Sequence, residues 1–586
     1  MKKYLLSAAL AALALPTPGF AQAPGEDSAI PDRSCLRECL IGHLQAHMAA
    51  LAARDASRLP LAADVLFTEN NVALAPGQGT WRTVTDVDTN GLEVADQTTG
   101  HAAWFGSIRE NGTPAFYAVR IHVEGGLIDE IETVVHRRTG LPAPFGDWEN
   151  MEHFAEFNEI LPPDERRPRE RMLAIADSYF DTVELNDGQV FAPFSEDCSR
   201  LENGILTTAV REGDQNSAAG IAAGCEAQFR LGIYKINKRI RRDLPLVDEE
   251  RGVVVGSGFF DHANEWDRYL LTDGREMMTA LKWPNSISLL EAFRIRNGEI
   301  QRIEATFTYV PYFMNNMFWS EESAPPALAP RPDLCDADCL TGQARAVASA
   351  MVGNQWQGVE WATRVGYAEN SVGIRVGEGI WAAVTAVDQR PLVVADATTG
   401  RAVWLGTIEE HGQPSWAAFT VSADGEAVGG VDALIRRSQY GAPFADPASL
   451  AAAPRLPAAR RTSRAAMQLA ASQFIEALGS NGAAPDVFGE SCNWFVNGQD
   501  VGGCAAAFGS PALMRIEAVR DRQLLAIDEE RGLAVYRFFE DIPAVGQGYP
   551  QTSQVVELYR FDAGRLVKVE AFTSELPYGM KPFGHR

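Results

Sequence analysis

The chain has 586 residues, of which 46% are hydrophobic and 22% are charged, and its formal net charge is −25. This hydrophobic fraction is typical of folded globular proteins and excludes a chain that is disordered throughout. Because nucleic acids and many membrane surfaces are anionic, a charge of −25 argues against binding to either. At roughly 100–200 residues per domain, we expect about three to five domains.

The first residues are typical of a secretory signal peptide. Lys2 and Lys3 precede an apolar run, Tyr4–Leu15, and small residues follow as far as Ala23. This run is shorter than the ~20 residues of a membrane-spanning helix. We therefore predict that residues 1–23 are a signal peptide and that the mature protein is exported to the periplasm or the extracellular space. Such compartments permit disulfide bonds.

From Cys35 onward the hydrophobic pattern predicts one helix followed by strands. Leucine and methionine recur at helical spacing from Cys35 to Leu51, which predicts a helix with one apolar face. Runs of β-branched and aromatic residues follow, broken by glycine turns such as Gly125-Gly126. The predicted strands here are Ala102–Ile108, Ala115–Val123 and Leu127–Val135. A second helix is predicted around Met172–Phe180, again followed by strands.

The region that begins at Cys35 recurs 300 residues further along the chain. The repeat is too extensive to arise by chance, so the two copies are a duplication. We call them unit A1, residues 33–140, and unit A2, residues 333–440. Among the matching pairs are Cys35/Cys335, Cys39/Cys339, Glu69/Glu369, Asn70/Asn370, Trp81/Trp381 and Asp96/Asp396.

A second duplication is interleaved with the first. The segment Asp248–Gly252 recurs as Asp528–Gly532, and the cysteine pair Cys198 and Cys225 recurs as Cys492 and Cys504. We call these copies unit B1, residues 164–318, and unit B2, residues 462–583. Residues 319–332 are rich in Pro and Ala and are predicted to be a linker. The order A1-B1-A2-B2 indicates that an ancestral A–B pair was duplicated.

Several spaced motifs resemble a known family. They are Phe67–Asn70, Gly77–Trp81, Ile128–Glu132, Cys198–Gly204, Val247–Gly252 and Val310–Tyr312. These motifs resemble secreted fungal and bacterial proteins known as a domain of unknown function, closely over 33–318 and more loosely over 333–583. A curved sheet around a helix is also similar to the nuclear-transport-factor-2-like superfamily, which includes SnoaL-like polyketide cyclases and scytalone dehydratase. The resemblance implies a fold and export but no established activity.

We therefore predict an α+β fold built from four units. Each unit is expected to have a cone-like, curved antiparallel sheet wrapped on its N-terminal helix, with a cavity between sheet and helix. The four units are arranged as two A–B tandems. Because an A–B tandem can satisfy sheet contacts within one chain, we expect a monomer with internal domain pairing.

The eight cysteines are predicted to form disulfides. Repeat symmetry favours Cys198–Cys225 and Cys492–Cys504. The pairs Cys35/Cys39 and Cys335/Cys339 stand four residues apart at a helix start, where a bridge can form. Metal binding is the rival interpretation, but the Cys pairs lack a His partner at zinc spacing. We expect no metal and no cofactor.

Four side chains of A1 are candidates for chemistry because each is predicted to face its cavity: His47, Glu69, Asp96 and Arg120. A buried imidazole beside a carboxylate can act as a general base, and a guanidinium can hold a carboxylate or enolate oxygen. Structural roles are the alternative. His47 would then be a core residue, Glu69 and Asp96 would fix turns, and Arg120 would pair with Glu130 or Glu132.

Three classes of function are compatible with these features. The first is a cofactor-free lyase, dehydratase or isomerase that moves protons on a small apolar or phenolic ligand. The second is a non-catalytic binding protein with the same cavity. The third is a surface or interaction protein whose duplication supplies valency.

The two halves differ where an enzyme would need charge. The differing pairs include His47/Val347, Arg120/Thr420, Glu130/Gly430, Arg200/Trp494 and Glu202/Val496. Loss of these groups with retention of the hydrophobic residues is what a non-catalytic duplicate would show. We therefore hypothesise that any ligand chemistry lies in residues 33–318 and that 333–583 is a supporting copy.

Overall fold

A computed structural model of the protein describes residues 35–139, 143–209, 224–319, 335–437, 450, 453–479, 484–508, 515–544 and 548–584. The predicted signal peptide lies outside these residues, as does the predicted linker after its first residue. Within the described ranges, no helix is both long enough and apolar enough to span a bilayer.

Units A1 and A2 each contain a principal helix and a seven-stranded sheet. In A1 the elements are α1 Arg37–Ala52, β1 Leu61–Glu69, β2 Val72–Leu74, β3 Val84–Val87, β4 Leu92–Asp96, β5 His101–Glu110, β6 Thr113–Glu124 and β7 Leu127–Arg137. The strand order is β2-β1-β7-β6-β5-β3, and β4 also pairs with β5.

Unit B1 contains a six-stranded sheet and a separate two-stranded sheet. Its elements are α2 Arg169–Leu185, β8 Phe194–Glu202, β9 Ile205–Leu206, α3 Cys225–Arg230, β10 Arg239–Asp248, β11 Val253–His262, β12 Arg268–Leu270, β13 Glu276–Met278, β14 Asn285–Arg296 and β15 Glu299–Val310. The large sheet has the order β10-β11-β14-β15-β8-β9, and β12 pairs with β13.

The second half repeats both topologies. A2 consists of α4 Ala337–Met351, β16 Trp361–Glu369, β17 Val372–Gly373, α5 Ile380–Ala383, β18 Val384–Val387, β19 Leu392–Asp396, β20 Arg401–Glu410, β21 Gln413–Asp424 and β22 Ala427–Arg437. B2 consists of α6 Arg464–Gly479, β23 Phe488–Val496, β24 Gln499–Gly503, α7 Cys504–Ala507, β25 Ala518–Asp528, β26 Leu533–Ile542, β27 Gln551–Asp562 and β28 Arg565–Pro577.

The four large sheets are mixed rather than purely antiparallel, which corrects the predicted fold. In each unit the first long strand runs parallel to the last, as β1 does to β7 and β8 does to β15. Strands joined by tight turns must be antiparallel, and the hairpins β5-β6-β7 obey this rule. The chain passes through the whole unit between β1 and β7, so no turn fixes the direction of β1 relative to β7. The local sequence pattern therefore cannot predict that direction.

Each of the two large sheets of the first half is buried on both faces. One face of the A1 sheet packs against α1, with Leu44 touching the core that contains Trp104 and Tyr117. The opposite face packs on the B1 sheet, where Phe105 of A1 and Leu290 of B1 belong to one apolar cluster. The A2 and B2 sheets form an equivalent cluster. Sheets covered on both faces explain the continuous apolar runs in the strands. The predicted monomeric state stays a prediction.

All eight cysteines are bonded, in the pairs Cys35–Cys39, Cys198–Cys225, Cys335–Cys339 and Cys492–Cys504. The first and third pairs close the starts of α1 and α4. The pair Cys198–Cys225 ties β8 to the first residue of α3, and Cys492–Cys504 ties β23 to α7. These four bonds are consistent with an extracellular or periplasmic protein.

Candidate functional site

His47 is fully buried on the inner face of α1. Its Nε2 lies 3.3 Å from the hydroxyl of Tyr117, and its ring meets Trp81 edge to face. Burial lowers the pKa of His47 to about 4, so the imidazole is neutral at pH 7. Its Nδ1 is buried and has no hydrogen-bond partner among the described residues, so the contact with Tyr117 satisfies only one of the two ring nitrogens.

Glu69 and Asp96 have different partners. Glu69 accepts hydrogen bonds from the backbone N–H of Thr80 at 2.6 Å and from Arg137 at 2.8 Å. Asp96 accepts from Arg169 at 2.6 Å and from the backbone N–H of Val247 at 2.8 Å. Since the last two residues belong to B1, Asp96 joins the units of the first tandem.

Asp396 has the corresponding role in the second half. It accepts hydrogen bonds from Arg464 at 2.7 Å and from the backbone N–H of Ile527 at 2.9 Å. Asp96 and Asp396 therefore make the same contact between an A unit and a B unit in both halves.

Arg120 pairs with both of the acidic residues expected for a structural role. Its guanidinium donates to Glu130 at 2.7 Å and to Glu132 at 2.8 Å. Among the described residues, no hydrogen bond joins any two of His47, Glu69, Asp96 and Arg120. The four are therefore not joined into one hydrogen-bonded constellation. Tyr117 contacts His47, and burial together with the charge of Glu69 raises the pKa of Tyr117, so these two candidates share one neighbour. The catalytic role of the four stays a prediction.

A cavity of about 390 Å³ lies in B1 instead, between α2, the large sheet and the β12–β13 hairpin. This volume falls in the range of small-molecule sites. Its middle is apolar, and the side chains there include Val183, Phe260, Ile287, Leu289 and Phe307.

The cavity floor follows from strand alternation. Ile287, Leu289 and Glu291 lie two residues apart on β14, so they share one face of the sheet. Glu291 pairs in register with Ala305 of β15, and Ala305 pairs with Glu202 of β8. The small side chain of Ala305 thus separates two carboxyl groups that face the same space.

A buried polar cluster lies at this inner end of the cavity. The Arg200 guanidinium, only 1% exposed, donates to Gln228 at 2.8 Å and contacts the hydroxyl of Tyr234. Its Nε lies 3.1 Å from Glu202. Burial alone would lower the pKa of Arg200, but the charge of Glu202 raises it above its ordinary value, so the guanidinium stays charged.

Glu291 completes the cluster. It accepts a hydrogen bond from Tyr179 at 3.0 Å, and its residue is 1% exposed. Burial, reinforced by the charge of Glu202, raises the pKa of Glu291 to about 8. Glu291 is therefore protonated at pH 7. The two carboxyl groups at Ala305 have different environments, one against a guanidinium and one against a phenol, which is how a site separates an acid from a base.

The outer end of the cavity carries His262 and Asn237. The Nδ1 of His262 lies 3.2 Å from Oδ1 of Asn285, whose amide nitrogen donates to the carbonyl of Trp283. This orientation of Asn285 places the ring proton of His262 on Nδ1 and leaves Nε2 as an acceptor. Burial lowers the pKa of His262 to about 4, so the ring is neutral.

The β12–β13 hairpin covers the mouth of the cavity. Tyr269 and Met277 of this hairpin pack on Ile233 in a small apolar cluster, and all three line the cavity. In B2 the corresponding connection runs only from Ile542 to Gln551, against His262 to Asn285 in B1. The hairpin is therefore an insertion specific to B1.

Aromatic rings fill the equivalent place in B2. Trp494 stands at the position of Arg200. Phe474 corresponds to Tyr179, because it follows Arg464, the partner of Asp396, at the same spacing as Tyr179 follows Arg169, the partner of Asp96. The rings of Trp494 and Phe474 are 5.1 Å apart. Tyr536 takes the place of Gly256, since each pairs in register with the glutamate of the next strand.

B2 nevertheless keeps one of the buried acids. Glu557 corresponds to Glu291, is bonded by the hydroxyl of Tyr559, and burial raises its pKa to about 8. B2 thus retains the neutral carboxyl but has lost Arg200, Glu202 and the phenol of Tyr179.

A metal site has little support in the geometry. Among the described residues, the only three His, Cys, Asp or Glu ligand atoms that lie within 4.8 Å of one another are those of Cys35, Cys39 and His43. Both sulfurs are in a disulfide and offer no thiolate.

The sequence pattern alone missed Tyr179, Glu291, His262 and Asn237. Arg200 and Glu202 stood out only because their B2 counterparts are apolar. Tyr179 could have been found by the same comparison, because its B2 counterpart is Phe474 once Arg169 and Arg464 are aligned. Glu291 gave no such signal because Glu557 is also a glutamate.

Comparisons with known proteins agree with the repeat. The model of a family described as a domain of unknown function, DUF8021, matches residues 165–307 and again residues 460–573. These stretches correspond to units B1 and B2. No curated protein matches the chain.

Two solved structures are similar to parts of the chain. One is a Bacillus subtilis protein provisionally described as an isomerase, 11% identical over 19% of this chain and 87% of its own, with a TM-score of 0.17. The other is LinA, 16% identical over 21% of this chain and 94% of its own, with a TM-score of 0.16. Likenesses at this level say nothing about activity.

Proposed function

We propose that the B1 cavity binds a small, neutral, largely apolar molecule and catalyses a proton transfer on it without a cofactor, as an isomerase or lyase does. The observation that carries this proposal is the pair of carboxyl groups on either side of Ala305. Glu291 is neutral at pH 7 and bonded to Tyr179, whereas Glu202 contacts the charged Arg200. An acid and a base in one cavity are the requirements of general acid–base catalysis.

The roles follow from these contacts. A ligand carbonyl at the inner end accepts a hydrogen bond from the protonated Glu291. The Glu202 carboxylate removes a proton from the carbon next to that carbonyl, while the Glu291 proton passes to the oxygen, which gives an enol. Return of a proton from Glu202 to carbon, and of the enol proton to Glu291, restores both groups. A shift of the double bond during this cycle is an isomerisation.

The charge balance favours a neutral ligand. Arg200 and Glu202 compensate each other, and Glu291 is uncharged at pH 7. A buried carboxylate ligand would bring an uncompensated negative charge beside Glu202, which is costly in a low-dielectric site.

Deuterium exchange tests this function on the full chain. The probe is 4-phenylcyclohexanone in D2O, and NMR follows loss of the protons next to its carbonyl. We expect the wild type to accelerate exchange above the buffer rate. Glu291→Gln, which removes the acid, should lower the rate of deuterium exchange toward the rate in buffer. Glu557→Gln is the matched control, because it changes the equivalent buried acid in B2 and should leave exchange unchanged.

Two results would count against catalysis. Exchange no faster than in buffer, with the ketone bound in B1, would favour a binding protein, which the mostly apolar lining of the cavity also fits. Equal losses in Glu291→Gln and Glu557→Gln would show that exchange does not depend on the B1 cavity.

A further inference from the structure

Asn237 is a buried amide with no hydrogen-bond partner among the residues that the structure describes. It lines the cavity just before β10, and its residue is 7% exposed. Neither its Oδ1 nor its Nδ2 has a hydrogen-bond partner among the described residues. A buried polar atom without a partner costs about 1–3 kcal/mol, so two such atoms on one side chain call for an explanation.

The backbone places Asn237 at the outer end of the cavity. The backbone N–H of the next residue, Lys238, donates to the carbonyl of Asp261 at 2.7 Å. Asp261 directly precedes His262, whose Nδ1 proton faces Asn285. Burial lowers the pKa of His262 to about 4, so the ring is neutral and its Nε2 is an acceptor. Two uncharged side chains with free hydrogen-bonding capacity therefore stand at this end.

The two polar ends of the cavity are far apart. Glu291 pairs in register with Gly256 on β11, and His262 lies six residues further along that strand, which is roughly 20 Å between Cα atoms. The side chains between them are mostly apolar and include Phe260, Ile287 and Leu289, and Tyr309 pairs in register with Ile287. No single ligand atom can contact both ends.

We propose that the B1 ligand is elongated and carries a second uncharged hydrogen-bonding group, a hydroxyl, which binds to Asn237 and His262 at the outer end. This inference rests on the proposed function, which places the first ligand oxygen beside Glu291. A hydroxyl is both a donor and an acceptor, and the Asn237 amide offers the complementary acceptor and donor. An apolar molecule with an oxygen at each end matches the polar, apolar, polar sequence of the walls.

A series of three probes long enough to reach both ends separates them: p-terphenyl, 4-hydroxy-p-terphenyl and 4,4″-dihydroxy-p-terphenyl, titrated calorimetrically into the full chain. The first hydroxyl should raise affinity through the inner cluster. The second should raise it again by about 2- to 10-fold, the value of one net hydrogen bond. Asn237→Leu should abolish only the gain in affinity from the second hydroxyl, and Glu291→Gln should reduce only the gain in affinity from the first hydroxyl.

A second measurement detects the unpartnered amide without any probe. Asn237→Leu replaces two unsatisfied polar atoms with apolar ones of similar size, so the ligand-free protein should melt at a higher temperature than the wild type. In the titrations, His262→Phe, which removes the acceptor but keeps a ring, should only partly lower the gain in affinity from the second hydroxyl.

The outcomes distinguish the two proposals. A first gain that depends on Glu291, with no second gain in the wild type, would overturn the outer hydroxyl site and leave the proposed function standing. A second gain that survives Asn237→Leu would also overturn the outer site. Absence of both gains would overturn the inner site and the outer site together.

Discussion

Glu202 and Glu291 lie on either side of Ala305, and the charge of the first, after burial itself, raises the pKa of the second. The two glutamates come from strands that are not neighbours in sequence, and β15 brings them together. B2 retains only one carboxyl group of this pair, because Val496 stands in place of Glu202 while Glu557 corresponds to Glu291.

The protonated state of Glu291 predicts a dependence of stability on pH. Its pKa is 4.5 in an unfolded chain and about 8 in the folded one. The folded state therefore holds this proton between those values, and the stabilisation, complete below pH 4.5, is lost as pH rises through 8. Each carboxyl of this kind contributes a slope on the order of 1 kcal/mol per pH unit.

Glu291→Gln should remove that slope. The melting temperature of the variant, relative to the wild type, should rise steadily between pH 5 and pH 8. Glu557→Gln should give a similar rise, because burial raises the pKa of Glu557 to about 8 as well. A difference between variant and wild type that does not change with pH would show that Glu291 is already ionised.

The disulfide Cys198–Cys225 is expected to support both stability and binding. It anchors α3, which carries Gln228 against Arg200. Replacing both cysteines by alanine should cost about 2–4 kcal/mol and weaken the binding of 4-hydroxy-p-terphenyl. The pair Cys492–Cys504 is the control, since its loss should destabilise the chain without changing affinity. Equal loss of affinity in both double variants would disprove the local role of the first bond.

Arg120 should matter for folding and not for the ligand. Glu132 is buried and also accepts from Ser257 at 2.7 Å and Asn316 at 2.6 Å, so Arg120→Met leaves a buried charge without its cation. We expect a loss of about 3–5 kcal/mol in the free energy of unfolding by urea. Arg120→Lys retains the charge and should lose less. Exchange of 4-phenylcyclohexanone that disappears in folded Arg120→Met would return the chemistry to A1.

The B2 residues can be transferred into B1. Arg200→Trp with Glu202→Val reproduces Trp494 and Val496, and it removes both buried charges together, which need not destabilise the fold. The double variant should retain a cooperative melting transition and lose measurable binding of 4-hydroxy-p-terphenyl. Tyr179→Phe, which keeps the ring and removes the hydroxyl, should bind more weakly but detectably. Undiminished binding by the double variant would place the ligand outside this cavity.

The repeat and the helices could be predicted because they depend on local pattern and internal identity. The helix face of Leu40, Leu44 and Met48 packs on the A1 sheet as its spacing predicts. The parallel pairing of β1 with β7 could not be predicted, since it joins strands separated by the whole unit.

The site was harder to locate than the fold. His47 and Arg120 attracted attention because they interrupt apolar patterns. His47 contacts Tyr117, Arg120 pairs with Glu130 and Glu132, and a catalytic role for either residue stays a prediction. Glu291 interrupts an apolar strand in the same way, yet its role depends on Glu202 and Tyr179, which lie on other elements. The cavity also depends on the B1-specific hairpin, whose position over the mouth no local pattern encodes.

A crystal structure of the full chain with 4-phenylcyclohexanone would show where the ligand binds and which residue its oxygen contacts. We expect one ketone in the B1 cavity, with its carbonyl oxygen within hydrogen-bond distance of Glu291 and its α carbon facing Glu202. A ketone bound in A1 beside His47, or a ketone in B1 with its oxygen turned toward the hairpin mouth, would contradict this expectation.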